Sequence, residues 1–350
     1  MSRWMGKMKA LIMLGFVAIV LSACGKENLT ALDPKGYGAE QAMDIMILSI
    51  IIMVAVFIIV MLVFTIALVK FREKKGQEDY IPKQVEGNHT LEIVWTGIPI
   101  ILVLVLAVPT VISVFDLADT TDASSSLNVE VTGNQYWWHF NYEGEEIQTS
   151  QDLYIPVGEK VYLDIQASDV IHSFWVPTIS GKMDANPENV NTMYIEAYEE
   201  GVYWGKCAEL CGPSHSLMDF KIVAVSPEEF DAWVEDMKNV DPEQTPQNAV
   251  ATEGQELFEA NNCMACHAIG SSPVATGPNL TNYANRTKIA GILEPTTENL
   301  VDWLLDPETI KPGNKMTGNY PSLSEEEANS IAEYLMQLDH SDVTPESAGN

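Results

Sequence analysis

The stretch Cys207-Ala-Glu-Leu-Cys211-Gly-Pro-Ser-His215-Ser-Leu-Met218 decides how this chain is read. Two thiols, an imidazole and a thioether fall within twelve residues. Thiolate with thioether is a soft donor set and favours copper among the common metals. Zinc also takes two Cys and two His, but it has no use for a methionine. A disulfide-bridged turn would account for the cysteines and leave His215 and Met218 unexplained. Gly212-Pro213 marks a turn, so the donors are expected on a loop between strands. His172 lies 35 residues upstream, in Ser168-Asp-Val-Ile-His172-Ser-Phe-Trp-Val-Pro177, and can supply a second imidazole.

The residues around this loop have a period of two. Leu127, Val129 and Val131 alternate with polar neighbours, as do Val161, Leu163 and Ile165. Met193–Tyr198 and Phe220–Val225 read as further strands. Short strands with turns between them imply a β-sandwich or barrel over 127–226. Ser226-Pro227-Glu228-Glu229 then starts a helix, with Ser226 as N-cap, and Phe230, Trp233 and Met237 would share one face. Asn239 to Glu253, with Pro242 and Pro246, reads as a linker, so 227–251 is taken as helix and linker.

Upstream the chain is apolar. Ile45–Val69 is 25 residues without a charge, about 37 Å as a helix, and Ile93–Phe115 is 23 more. Pro99 and Pro109 fall in the second run, where a membrane helix tolerates them. Lys70, Arg72, Lys74, Lys75 and Lys83 lie between the runs, which places that loop in the cytoplasm and both ends outside. Residues 1–23 read as a signal peptide: Arg3, Lys7 and Lys9 precede the apolar run Ala10–Val20. Leu21-Ser-Ala-Cys24-Gly resembles a bacterial lipobox, which implies cleavage before Cys24 and a lipid on its sulfur. Residues 24–115 are therefore expected to form a membrane hairpin.

From Thr252 a new domain begins, expected over 252–340. Cys263-Met-Ala-Cys266-His267 is the attachment pattern for a c-type haem. Two cysteines three apart on a helix can bond the haem vinyl groups, and the adjacent His267 can reach the iron. A zinc or redox role for the pair is weaker, because no second cysteine pair follows. Ser324-Glu-Glu-Glu327 caps a last amphipathic helix through Ile331, Ala332 and Leu335.

Formal net charge is -30, unevenly placed. Residues 1–115 carry 10 basic and 9 acidic side chains (+1), whereas 116–350 carry 9 and 40 (-31). So acidic a segment does not bind nucleic acid by counterion release. It suits a cationic partner or a surface solvated at high external pH or salt.

His172 with Cys207-x-Glu209-x-Cys211-x3-His215-x2-Met218 resembles the binuclear copper (CuA) site of cytochrome c oxidase subunit II. The resemblance implies that two coppers share the Cys207 and Cys211 thiolates. His172 and His215 would each cap one copper, with Met218 and the Glu209 carbonyl as weak outer ligands. It also implies a cupredoxin-like Greek-key barrel and a magnesium ion at Glu209 shared with subunit I. Gly133-Asn-Gln-Tyr136-Trp137-Trp138 is similar to the family's Gln-Trp-x-Trp segment, where electrons come into the copper site; Tyr136 stands where the family has Trp. Glu92-Ile-Val-Trp95-Thr-Gly-Ile-Pro99 resembles the family segment whose glutamate lies at the mouth of a proton channel of subunit I. Lys311-Pro-Gly313-Asn-Lys-Met316 resembles the methionine loop of class I cytochromes c. Met316 is thereby the expected sixth iron ligand, ahead of Met264 and Met336, and methionine opposite histidine raises the haem potential. Gly277-Pro278 resembles the loop that orients the axial histidine, and Leu300-x-x-Trp303-Leu304 the helix before the methionine loop.

The whole order of hairpin, copper barrel and fused all-α cytochrome c is similar to subunit II of caa-type bacterial oxidases. That implies electrons taken from a cytochrome c or the preceding respiratory complex, passed through haem c and CuA to haem a of subunit I, with subunits I and III as partners in the cell membrane. Oxygen would be reduced in subunit I, with proton pumping. A quinol oxidase subunit II of the bo type would keep hairpin and barrel but lack the copper ligands and haem motif. A membrane-tethered copper-delivery protein would leave Met218 and the cytochrome domain unexplained.

Overall fold

The computed structural model describes residues 9, 11–17, 28–72, 86–242, 244–271 and 276–348. Cys24, most of the expected signal peptide, and Lys74, Lys75 and Lys83 lie outside the described residues. Two long helices come first, α1 (Tyr37–Lys70) and α2 (His89–Leu117). Both are long and apolar enough to cross a membrane, with mean hydropathy 3.4 and 2.8 over their best windows. Each extends beyond the charge-free run at both ends. The side chain of Asn88 caps α2, accepting from Leu91 N at 3.1 Å. Near the barrel the two are tied by Tyr37 with Asp116 and by Ser113 Oγ donating to Gln41 Oε1 at 3.2 Å.

The segment before α1 is pinned to the β-domain. Lys35 N donates to Thr178 O at 2.7 Å and Ala39 N to Ile179 O at 3.1 Å, so the membrane helix starts from the barrel wall. The β-domain has ten strands: β1 (Leu127–Asn134), β2 (Trp137–Tyr142), β3 (Ile147–Ser150), β4 (Asp152–Pro156), β5 (Val161–Ala167), β6 (His172–Trp175), β7 (Lys182–Ala185), β8 (Asn191–Ile195), β9 (Gly201–Cys207) and β10 (Asp219–Val225). They form two five-stranded sheets, in orders β3-β2-β1-β5-β8 and β4-β10-β9-β6-β7. β1 with β5 and β4 with β10 pair in parallel, and the remaining pairs are antiparallel. In the expected strand around 193–198, the ladder with β5 ends at Ile195, and Ala197 bridges instead to Gly36 before α1.

Between the sheets the core is aromatic. Trp138, fully buried, meets Phe174 and Phe220 at ring distances of 5.6 and 5.3 Å, and the edge of His172 at 6.0 Å. Helix α3 (Pro227–Lys238) has the expected capping box, and its Phe230, Trp233 and Met237 are buried. Trp233 stacks on Tyr154 at 4.6 Å and closes one side of the barrel.

The linker is shorter than expected. Helix α4 (Ala249–Ala260) already begins at Ala249, because Asn248 caps it by accepting from Ala251 N at 2.9 Å. The cytochrome-like domain adds α5 (Thr297–Leu305), the short α6 (Pro307–Ile310) and α7 (Glu325–Leu335). Phe258 of α4 and Ile331, Ala332 and Leu335 of α7 share its core. The chain after α7 returns to the barrel: Val343 and Ala348 are buried in the barrel's own hydrophobic core, and Ser341 Oγ donates to Asp236 Oδ2 at 2.8 Å.

Candidate copper and haem sites

The barrel brings together every expected copper donor. His172 opens β6, Cys207 closes β9, and Phe174 pairs with Cys207 across these strands. Cys211 lies on the loop, His215 opens a single 3-10 turn (His215–Leu217), and Met218 precedes β10. The two Sγ atoms are 3.9 Å apart. His172 Nδ1 lies 3.8 Å from Cys207 Sγ, and His215 Nδ1 lies 3.7 Å from Cys211 Sγ. Met218 Sδ is 3.8 Å from Cys211 Sγ, and the Glu209 carbonyl is 3.2 Å from Cys207 Sγ. Each sulfur thus has one imidazole and one weak donor beside it. His172, Cys207, Cys211 and Met218 are buried, whereas His215 is half-buried and Glu209 exposed, so the set opens to the surface on the side of its loop.

The electrostatics suit a cation. A hydrogen bond from Cys211 pulls the Cys207 thiol well below its ordinary range, against burial, and His172 adds to the effect. The same contact, with burial, pushes Cys211 up. One thiolate therefore forms easily and the second needs a positive centre, which a metal supplies.

A residue absent from the sequence reading orients the site. Asp169 Oδ1 lies 2.8 Å from His172 Nε2, which turns Nδ1 toward the sulfurs. Burial opposes charge on His172, but Asp169 and then Cys207 raise its pKa. Burial also works against the Asp169 carboxylate, yet His172, Lys315 and the Gln135 and Val170 amides hold it far below its usual range. The available signal was an aspartate three residues before the histidine.

Tyr136 is buried against the copper loop. Gly212 has φ +134, and a Cβ there would stand 2.5 Å from the Tyr136 hydroxyl, so glycine is required. Gln135 Nε2 donates to Cys211 O at 2.6 Å. Tyr136 and Trp137 also line a cleft of the next domain.

That cleft holds the haem motif. Cys263, Cys266, His267 and Met316 all line it. The cysteines lie not on a helix but on a 3-10 turn (Cys263–Ala265) that Cys266 ends, a correction that follows from Asn262 breaking α4 with φ +57. His267 Nδ1 donates to Pro278 O at 2.8 Å, which fixes the tautomer and leaves Nε2 to ligate. Burial lowers the pKa of His267, keeping it neutral as a ligand must be. A Cβ on Gly277 would approach His267 Cε1 to 2.9 Å, so the cradle is shaped to the ring. The cavity of about 180 Å³ far exceeds the ~10–15 Å³ one water needs. The residues present fit a haem.

The methionine loop lies against the copper loop. Ser214 Oγ donates to Pro312 O at 2.7 Å, and Lys315 Nζ donates to Asp169 Oδ2 at 2.7 Å. Asn279 N donates to Ser150 Oγ at 3.0 Å on the other side of the cleft. Glu92 is not part of this assembly. It sits in the first turn of α2, at the end away from the barrel, with His89 Nδ1 4.0 Å from its carboxylate.

A hairpin of two helices long enough to span a membrane, a β-barrel with a two-cysteine loop and an attached helical domain with a haem-attachment motif define the class: a membrane-anchored electron-transfer subunit. Three family descriptions match along the chain: "Cytochrome C oxidase subunit II, transmembrane domain" over 37–112, "Cytochrome C oxidase subunit II, periplasmic domain" over 143–225, and "Cytochrome c" over 251–339. The chain is 50% identical to cytochrome c oxidase subunit 2 of Alkalihalophilus pseudofirmus, covering 93% of this chain and 95% of that one. It is 44% identical to the subunit 2 of Bacillus subtilis, covering 94% and 97%. Similarity to a quinol oxidase subunit 2 of Bacillus spizizenii is lower, 35% over 68% of this chain and 75% of that one. The chain belongs to the cytochrome c oxidase subunit 2 family, in the form with a fused cytochrome c domain, and is the electron-transfer subunit of that haem–copper oxidase.

Proposed function

We propose that the chain takes single electrons from a cytochrome c or the preceding respiratory complex, and relays them by a haem c and a CuA centre to haem a of subunit I, where oxygen is reduced to water with proton pumping. When bound, these two groups supply one-electron redox centres that need little rearrangement. Cys207 and Cys211 would bridge two coppers, His172 and His215 cap them, and Met218 and the Glu209 carbonyl fill the outer positions. Cys263 and Cys266 would hold the haem covalently, with His267 and Met316 on the iron. Asp169 and Pro278 fix the two histidines whose other nitrogens ligate. Tyr136, at the place where the family admits electrons, touches the copper loop and lines the haem cleft.

The finer assignments follow the same reading. Glu209 would share a magnesium ion with subunit I, and Glu92 would stand at the mouth of its proton channel. Cys24 would carry a lipid after signal cleavage, with both metal domains on the outer side of a bacterial cell membrane. Subunits I and III would be the membrane partners. Fusion keeps the haem domain at high effective concentration beside the copper.

The observation that carries the reading is the seat of the methionine loop on the copper loop, through Ser214 with Pro312 and Lys315 with Asp169. The test is an absorption and spin-resonance spectrum of the complex purified from its native host. A covalent c-haem band with mixed-valence copper, two coppers to one haem c in this subunit, is expected. Intact thiols with neither copper nor attached porphyrin would overturn the proposal.

A further inference from the structure

Four cationic side chains line the haem cleft: Arg286, Lys288, Lys311 and Lys315. Two of them are neutralised by carboxylates. Lys288 pairs with Glu294 and Lys315 with Asp169. The other two make no ion pair among the described residues. Arg286 donates to the Asn279 carbonyl and lies over the Tyr283 ring. Lys311 is 4% exposed, and its Nζ has one acceptor, the Ala290 carbonyl at 2.8 Å.

Lys311 is the anomaly. An ammonium has three donors, and a buried charge is normally paired. The largest opposing field on it comes from Asp219, whose carboxylate is already held by Lys206 at 2.5 and 2.7 Å, and a smaller one from Cys211. Burial drives the Lys311 pKa down to about 7. A lysine kept there only for packing would be replaced without cost by an apolar side chain. The group expected in this cleft carries two carboxylates on an otherwise apolar ring, and an ammonium buried in the cleft wall is complementary to one of them.

We propose that Lys311 is the seat of one haem propionate, an ion pair buried at the junction of the two metal domains. The proposal rests on the cleft holding a haem c, as argued above. The junction is set by the neighbouring bond: Pro312, next in sequence, accepts from Ser214 of the copper loop. Lys311 would thus be a positioning residue, holding one carboxylate of the group close to the junction with the copper loop. It ligates nothing itself.

The experiment compares wild type with Lys311→Met, Lys311→Gln and Lys311→Arg in the purified oxidase complex. The attached low-spin haem band is read first; its loss in wild type would sink the haem reading and not this inference alone. Haem c is then titrated at its own band, with redox-difference infrared spectra of the carboxyl region. Removing the buried positive charge forces one of two outcomes in Lys311→Met. Either the ratio of reduced to oxidised haem c at fixed ambient potential falls about tenfold, a 59 mV shift for one electron, or a propionate takes up a proton and a carboxylic-acid carbonyl band appears. Lys311→Arg should restore the wild-type potential and spectrum. If Lys311→Met does not assemble, Lys311→Gln is read by the same two criteria. Wild-type potential together with no new acid band in an assembled neutral variant would overturn the proposal.

Discussion

The two metal-binding regions of this chain are built in opposite ways. Around Cys207 the donors already touch: sulfur, imidazole, thioether and carbonyl stand 3.2–3.9 Å apart, packed on a barrel whose core is complete. Around Cys263 the donors line a cavity, and the helices α4, α5 and α7 meet across it. The first donor set is held by barrel strands and the loop between them, and the second lines a cleft between helices. A group bound in the cleft should therefore add more to the stability of its domain than a metal adds to the barrel.

The largest expected effects separate the two halves. Cys263→Ala with Cys266→Ala should abolish covalent haem. Amide exchange should then rise throughout α4, α5 and α7 while the barrel keeps its protection. Cys207→Ser should abolish the mixed-valence copper signal, yet leave exchange in both domains close to wild type. Equal loss of protection in both halves for either variant would remove the distinction.

Next comes the barrel core beneath the copper donors. Trp138 is fully buried and supports the His172 ring edge. Trp138→Ala should destabilise the barrel by about 3–5 kcal/mol, read by denaturant unfolding followed in the barrel. The haem band should survive, since Trp138 does not line the haem cleft. A smaller effect is expected at Asp169, which keeps the fold but sets the His172 ring. Asp169→Asn should weaken copper binding roughly 10–100-fold, measured by competition with a chelator, with unfolding of the barrel little changed. Unchanged copper affinity would mean that the loop alone orients His172.

Much of this was legible before any fold was known, for reasons that differ by residue. The copper loop is local: four of its donors lie within twelve residues, so spacing alone revealed them. Cys263, Cys266 and His267 are likewise contiguous. The capping boxes at Ser226 and Ser324 were readable because each is closed within three residues. What was missed depends on side-chain orientation, competes with a local rule, or is non-local. Asp169 acts on His172 through a side-chain angle, and sequence spacing does not report angles. The start of α4 was hidden by Pro242 and Pro246, which read as linker, while Asn248 capped the helix earlier than expected. The seat of the cytochrome domain needed contacts between residues over a hundred positions apart, such as Ser341 with Asp236 and Lys315 with Asp169.

The smallest expected effect tests how that seat is held. Lys315 and Asp169 form the one ion pair between the methionine loop and the copper domain among the described residues. Lys315 is 51% exposed at its side chain, so water and salt screen most of the attraction, and the pair should contribute only about 0.2–1 kcal/mol. The apolar contacts of Val343 and Ala348 with the barrel core are not screened. Lys315→Ala should therefore slow internal transfer from haem to copper by no more than a few-fold, and the difference from wild type should vanish at high salt. Removal of residues 341–348 should slow it more, at all salt concentrations. Flash-reduction kinetics across an ionic-strength series check both. A salt-independent, many-fold loss in Lys315→Ala would mean that this lysine is structural to the methionine loop, and would move the weight of docking from the apolar tail to the charged pair.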